Sequence, residues 1–145
     1  MNARLLSKFA FAILVLAIVG LVGTDSLLGH GPVTWTLQGL AFLLMIWARV
    51  TFGRRSFHAA ANPTSGGLVT TGPYAYVRHP IYAAILLFVW TGVAANPSWR
   101  SLALGLLATG MTAIRIFAEE RLVRAMYPEY EEYAKRVKRV VPGVI

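Results

Sequence analysis

The sequence predicts an all-α, polytopic membrane bundle: about four transmembrane helices, followed by a cytosolic helical tail. Three observations predict it. Of 145 residues, 57% are hydrophobic and only 14% are charged, a balance found in membrane proteins and not in small water-soluble domains. The apolar residues gather into four runs, at about 5–23, 33–52, 80–95 and 99–118, near the ~20 residues that a membrane helix needs. The basic residues flank these runs and leave their interiors almost uncharged, as they do where helices end at an anionic lipid surface.

In the first run Arg4 and Lys8 precede the long apolar stretch from Phe9 to Val22, and no clear small-residue cleavage site comes before Asp25. It reads as a retained span and not as a signal peptide. The second run ends beside Arg49. The third is the shortest; at ~1.5 Å per residue it reaches only ~24 Å, less than a full hydrocarbon core. Pro80 suits its first turn, where a missing N–H costs nothing. Asn96-Pro97-Ser98 turns the chain into the fourth run, with Ser98 as a ready N-cap. The stretch 53–72 is the one long irregular connection, and Asn62-Pro63-Thr64-Ser65-Gly66-Gly67 is its flexible centre. Beyond Glu119 the chain turns polar but keeps helical spacing to Val137, with a break expected at Tyr127-Pro128. The whole is a single domain, with two N-terminal spans in 1–55 and a functional core in 66–142.

The net charge of +8 does not point to nucleic acid, because the cations border apolar runs and form no separate patch. Their placement sets a topology. Arg4 and Lys8, then Arg49, Arg54, Arg55 and Arg78, then Arg121, Arg124, Lys135, Arg136, Lys138 and Arg139 fall on one side, and Arg100 falls on the other. The positive-inside rule places both termini and the 53–72 connection in the cytoplasm. The absence of cysteine excludes disulfides, thiolate metal sites and cysteine nucleophiles. His30, His58 and His79 are scattered and suggest no metal site.

Two polar clusters stand out. Arg78-His79-Pro80-Ile81-Tyr82 opens the third run, and Arg115 with Glu119-Glu120 closes the fourth. A hairpin of two spans returns both clusters to one membrane face, where ionisable groups are costly and are functional suspects by default. Arg78 and His79 lie at a helix N-terminus, which attracts a carboxylate or phosphate. Glu119 and Glu120 would attract an amine, a cation or ribose hydroxyls. Arg115 shares a helix face with Glu119. Tyr74, Tyr76 and Tyr82 offer ring faces and hydroxyls for a base or a sulfonium. Each feature alone has a plainer reading: an interfacial anchor, a solvated carboxylate pair, an i,i+4 salt bridge, a belt of membrane-interface tyrosines.

Taken together, three motifs resemble a known family. Leu68-Val69-Thr70-Thr71-Gly72-Pro73-Tyr74-Ala75-Tyr76-Val77-Arg78-His79-Pro80-Ile81-Tyr82, the stretch from Arg115 to Glu120, and the tail Tyr127-Pro128-Glu129-Tyr130-Glu131-Glu132-Tyr133-Ala134-Lys135-Arg136-Val137 are similar to the isoprenylcysteine carboxyl methyltransferase and phospholipid methyltransferase superfamily. Gly66 and Gly67 stand where some members have histidine and threonine, and Tyr127-Pro128 replaces the usual Phe-Gly. The resemblance implies a membrane methyltransferase using S-adenosylmethionine on a lipophilic acceptor, such as an isoprenylcysteine-like carboxylate or a phospholipid amine. It implies that Gly67, Leu68, Val69, Tyr74, Arg78, His79, Pro80, Ile81, Tyr82 and Glu119 form the cofactor pocket. Arg115 would orient the substrate, and Glu120 or His79 would take a proton where the acceptor is an amine. Two rival readings stay open: a sterol-reductase-like enzyme using a nicotinamide cofactor, and a non-catalytic small membrane protein.

Overall fold

The computed structural model describes residues 2–53 and 67–145. Arg54, Arg55, His58 and the 62–66 part of the glycine-containing connection lie outside the described residues. The helices are α1 (Ala3–Gly23), α2 (Pro32–Phe52), α3 (Pro80–Ala95), α4 (Trp99–Met126) and α5 (Tyr130–Arg136), with a 3-10 turn at Gly72–Ala75 ahead of α3. The four apolar runs therefore become four helices, with every end within two residues of expectation except the C-terminal end of α4. Three of them, α1, α2 and α4, are long and apolar enough to cross a membrane; α3 is an apolar helix of 16 residues.

α4 exceeds the expected 99–118. Its 28 residues extend ~42 Å, longer than a hydrocarbon core of ~30 Å. The excess is the polar stretch after Ala118, about two turns that continue the helix until the chain reaches Tyr127-Pro128. Ser98 caps the other end reciprocally: its Oγ accepts from the Ser101 N–H at 3.0 Å, and the Ser101 Oγ accepts from the Ser98 N–H at 2.9 Å. This is the capping box that satisfies the first free amides of the helix.

α1 lies along α4 and α2 lies along α3, with α3 touching α4 between the two pairs. Leu14, Ala17 and Leu21 of α1, Val89 and Val93 of α3, and Ala108 of α4 make the buried core. The outward faces carry exposed apolar side chains such as Leu16, Val19, Phe42, Leu43 and Leu106, as helices facing lipid should. At the end of the bundle away from the termini the backbone comes very close. A Cβ on Gly92 would lie 2.1 Å from the Leu27 carbonyl oxygen, so only glycine fits. Gln38 fastens the same end: its Nε2 donates to the Leu27 carbonyl at 2.8 Å, and its Oε1 accepts from the Gly29 N–H at 3.4 Å. A buried amide inside a span needs such partners.

The tail folds back onto the bundle. Tyr133 donates to the Tyr74 carbonyl at 2.5 Å. The Arg78 and His79 amides donate to the Lys138 and Arg139 carbonyls at 2.8 and 2.9 Å, a short parallel bridge. The segment leading into α3 is thus held between α4 and the tail.

Candidate functional site

The up-and-down course of the helices returns the start of α3 and the end of α4 to the same end of the bundle, beside the start of α1. His79 and Tyr82 are one helical turn apart and face α4. Arg115 and Glu119 are likewise one turn apart and face α3. Glu120 follows Glu119 directly, so its side chain points about 100° further round the helix. Two adjacent carboxylates therefore serve two different clusters.

In the first cluster, Tyr82 donates its hydroxyl to Glu119 Oε1 and accepts from Arg115 Nε, the latter at 2.8 Å. Arg115 Nη2 lies 3.5 Å from the same Glu119 oxygen, and Nη1 donates to the Ser7 carbonyl of α1 at 3.0 Å. The Arg115 guanidinium also sits over the Phe11 ring at 4.9 Å, a cation–π contact that helps a charge tolerate burial. Arg115 is 4% exposed, so it is a clamp on Tyr82, Glu119 and α1. The Glu119 side chain keeps a quarter of its surface open. Its Oε1 is committed, while its Oε2 has only His79 Nδ1 beside it among the described residues, at 3.8 Å.

In the second cluster, Glu120 is 1% exposed and ringed by cations. Its Oε1 takes Arg78 Nη1 at 3.2 Å, His79 Nε2 at 3.3 Å and Arg139 Nε at 3.1 Å. Its Oε2 takes Arg139 Nη2 at 3.1 Å and Arg124 Nη2 at 3.5 Å. Arg78 is buried, donates to the Tyr130 hydroxyl at 3.3 Å and lies 5.7 Å from the centre of that ring. Burial pushes the Tyr130 hydroxyl up to about 12, and the Glu120 charge adds to the effect. Burial likewise raises Tyr133 and Tyr74, with nearby Glu119 adding to the latter. All three keep their protons at neutral pH.

The structure brings Arg78, His79, Tyr82, Arg115, Glu119 and Glu120 into one region, with His79 between the two carboxylates. Pro80 is buried at the first position of α3, and Ile81 is half-buried. Tyr74 is buried on the 3-10 turn and stacks at a tilt against Phe52 at 5.5 Å. Leu68 and Val69 are half-buried, and Gly67 is exposed with φ +83°, a conformation that favours glycine. Tyr76 points outward and is 66% exposed, as an interfacial belt residue. Sequence reasoning missed the contributions of Ser7, Phe11, Arg124, Tyr130, Tyr133 and Arg139. Tyr130 and Tyr133 carried a usable signal: two aromatics three apart on a short polar helix mark a face that docks. Among the described residues, no group of three His, Cys, Asp or Glu side chains is placed to hold a metal ion.

Comparison with known proteins adds a family. The profile of the phospholipid methyltransferase family matches residues 33–130. The chain is 37% identical over 76 residues to the cobalt-zinc-cadmium resistance protein CzcN of Cupriavidus metallidurans, covering 52% of this chain and 35% of that one. It is 35% identical over 77 residues to the nickel-cobalt-cadmium resistance protein NccN of Alcaligenes xylosoxydans xylosoxydans, covering 52% and 36%. These matches span about a third of the length of either relative. No solved structure matches the chain.

Proposed function

The chain belongs to the phospholipid methyltransferase family, and from that membership we propose an integral membrane methyltransferase that takes its methyl group from S-adenosylmethionine and passes it to a lipophilic acceptor. The observation that carries this reading is the state of Glu119. It is a carboxylate at the edge of the bundle with one oxygen fixed by Tyr82 and Arg115 and the other open beside His79. Such an oxygen suits an ammonium or a ribose hydroxyl.

The residues fit that cofactor. Glu119 would hold one of its polar ends. His79, Pro80, Ile81 and Tyr82 would form a wall, with Tyr74 packed behind it and the backbone of Gly67, Leu68 and Val69 along its edge. S-adenosylmethionine, when bound, supplies a methyl group already activated by its sulfonium, so the protein has to orient and to exclude water. Arg115 positions Tyr82 and Glu119 from behind, and through Ser7 it ties them to α1. Glu120 has both oxygens engaged by cations, which suits a structural anchor for Arg78 and Arg139. Of the two residues weighed as proton acceptors for an amine substrate, His79 is the one this geometry favours. The positive-inside rule supports a cytoplasmic site, with the acceptor reaching it from lipid between the helices. The relatives are named for metal resistance; no metal-ligand cluster among the described residues supports carrying metal binding to this chain.

The test is calorimetric titration of the purified protein in detergent with S-adenosylmethionine and with its demethylated product, beside Glu119→Gln. Saturable binding weakened at least tenfold (~1.4 kcal/mol) in the variant is expected. A folded protein that ignores both compounds but is stabilised by a nicotinamide cofactor would replace this reading with the reductase.

A further inference from the structure

Beside the Glu120 cluster, on the side of the tail, lies an open pocket of about 340 Å³. Arg78, Arg124, Lys135, Lys138 and Arg139 line it with Glu131, and Val144 and Ile145 form its apolar rim. The neighbouring carboxylates do not balance these cations. Glu120 binds Arg78, Arg124 and Arg139; Glu131 binds Arg124 at 2.7 Å; Glu132 binds Lys135 at 2.6 Å. Lys138 has no side-chain carboxylate partner among the described residues, and even with the Ile145 carboxylate counted the cluster keeps an excess of positive charge. Arg78 is buried in the wall with an Nε that finds no acceptor among the described residues. A concave site with converging guanidinium and ammonium groups and surplus charge is suited to a phosphate group.

The surroundings favour a particular source. Arg139 lies over the ring of Phe117, 5.3 Å away, and Phe117 is 60% exposed on the span α4. Val144 and Ile145 on the rim are exposed apolar residues, as is Val141 nearby in the sequence. The pocket therefore sits where the apolar surface of the bundle ends, the depth at which headgroup phosphates lie. We propose that this pocket binds a phosphate group, presented by an anionic lipid headgroup, at a site separate from the Glu119 site. Because Arg78, Arg124 and Arg139 also hold Glu120, the occupant would share the cations that support His79. This site does not depend on the methyltransferase reading.

The experiment is a binding titration by thermal melting on the full chain in detergent. The probes are phosphatidic acid or phosphatidylglycerol doped into the micelles, phosphatidylcholine as the neutral lipid, and inorganic phosphate or glycerol phosphate in solution. Wild type is compared with Lys135→Gln/Lys138→Gln, with Glu131→Gln, and with Lys8→Gln, an exposed cation elsewhere on the same end. An interfacial cation contributes about a fivefold change in affinity, so the double variant should bind the anionic lipid on the order of 30-fold more weakly. Glu131→Gln should strengthen binding, and Lys8→Gln should leave it within twofold. Binding of anionic lipid alone assigns the site to a headgroup, and binding of soluble phosphate as well assigns it to free phosphate esters. No binding of either, or equal losses in the lysine pair and in Lys8→Gln, would overturn the proposal, since the latter is general attraction to a basic surface.

Discussion

The division of labour between two consecutive carboxylates can be tested by removing one charge at a time. Glu120→Gln keeps the side-chain volume but takes away the carboxylate that neutralises Arg78, which is 8% exposed, and that also engages His79, Arg124 and Arg139. Removing one partner from a buried ion pair costs about 3–5 kcal/mol, because the remaining charge is left uncompensated in a poorly solvating place. The glutamine amide worsens this, since its NH2 turns donors toward donors. Glu119→Gln is different. Its side chain is a quarter exposed, and the Arg115 guanidinium and the His79 ring beside it lie at 3.5 and 3.8 Å, so solvent screens much of the interaction and the expected cost is about 1 kcal/mol or less. Melting in detergent, followed by circular dichroism, should therefore drop by roughly 10 °C or more for Glu120→Gln and by only a few degrees for Glu119→Gln. Titration with S-adenosylmethionine should invert the order: Glu119→Gln loses binding in protein that stays folded, while Glu120→Gln retains it below its own melting point. If Glu120→Gln melts within about 2 °C of wild type, the cation ring is not a structural anchor and the assignment of roles to the two carboxylates fails.

Two further expectations follow from single contacts. Tyr133→Phe removes the donor to the buried Tyr74 carbonyl at 2.5 Å; leaving that acceptor unpaired should cost about 1–3 kcal/mol, and limited proteolysis should then cut the tail faster than the spans. Gly92→Ala forces a methyl into the Leu27 carbonyl, 2.1 Å away, and should destabilise by about 1–3 kcal/mol through backbone displacement, whereas Gly39→Ala, with nothing within 4 Å of its Cβ, should be neutral or mildly stabilising by helix propensity.

The four helices were legible because each announces itself by one property that needs no tertiary information. Apolar length defines α1, α2 and α4, and Pro80 and Ser98 mark the starts of α3 and α4. The pairing of Arg115 with Glu119 was legible for the same reason, since an i,i+4 spacing fixes a shared face. The meeting of Tyr82 with Glu119 needed only the hairpin. What the sequence could not disclose was the return of 138–139 to the start of α3. The bonds that bring 138–139 back to 78–79 run between backbone groups, and any residue carries those. Arg139 therefore looked like one more surface cation, although it is the residue that closes the ring around Glu120. The burial of Arg115 was equally hidden. Its partners on α1 are a backbone carbonyl and Phe11, and neither signals a polar contact in an apolar run.

The tail explains how this polar cluster can exist at the edge of a bundle with so few helices. A carboxylate and three guanidinium groups at the boundary of lipid need partners in every direction, and four helices in two pairs supply them from only one side. Tyr130, Tyr133, the Lys138 carbonyl and Arg139 supply the other. They also fix the segment that carries Arg78 and His79 before α3 begins, so the wall formed by His79 and Tyr82 depends on residues some sixty positions further along the chain. The last twenty residues are on this account a structural half of the site: the helices bring Tyr82, Arg115 and Glu119 together, and the tail decides where His79 stands between the two carboxylates.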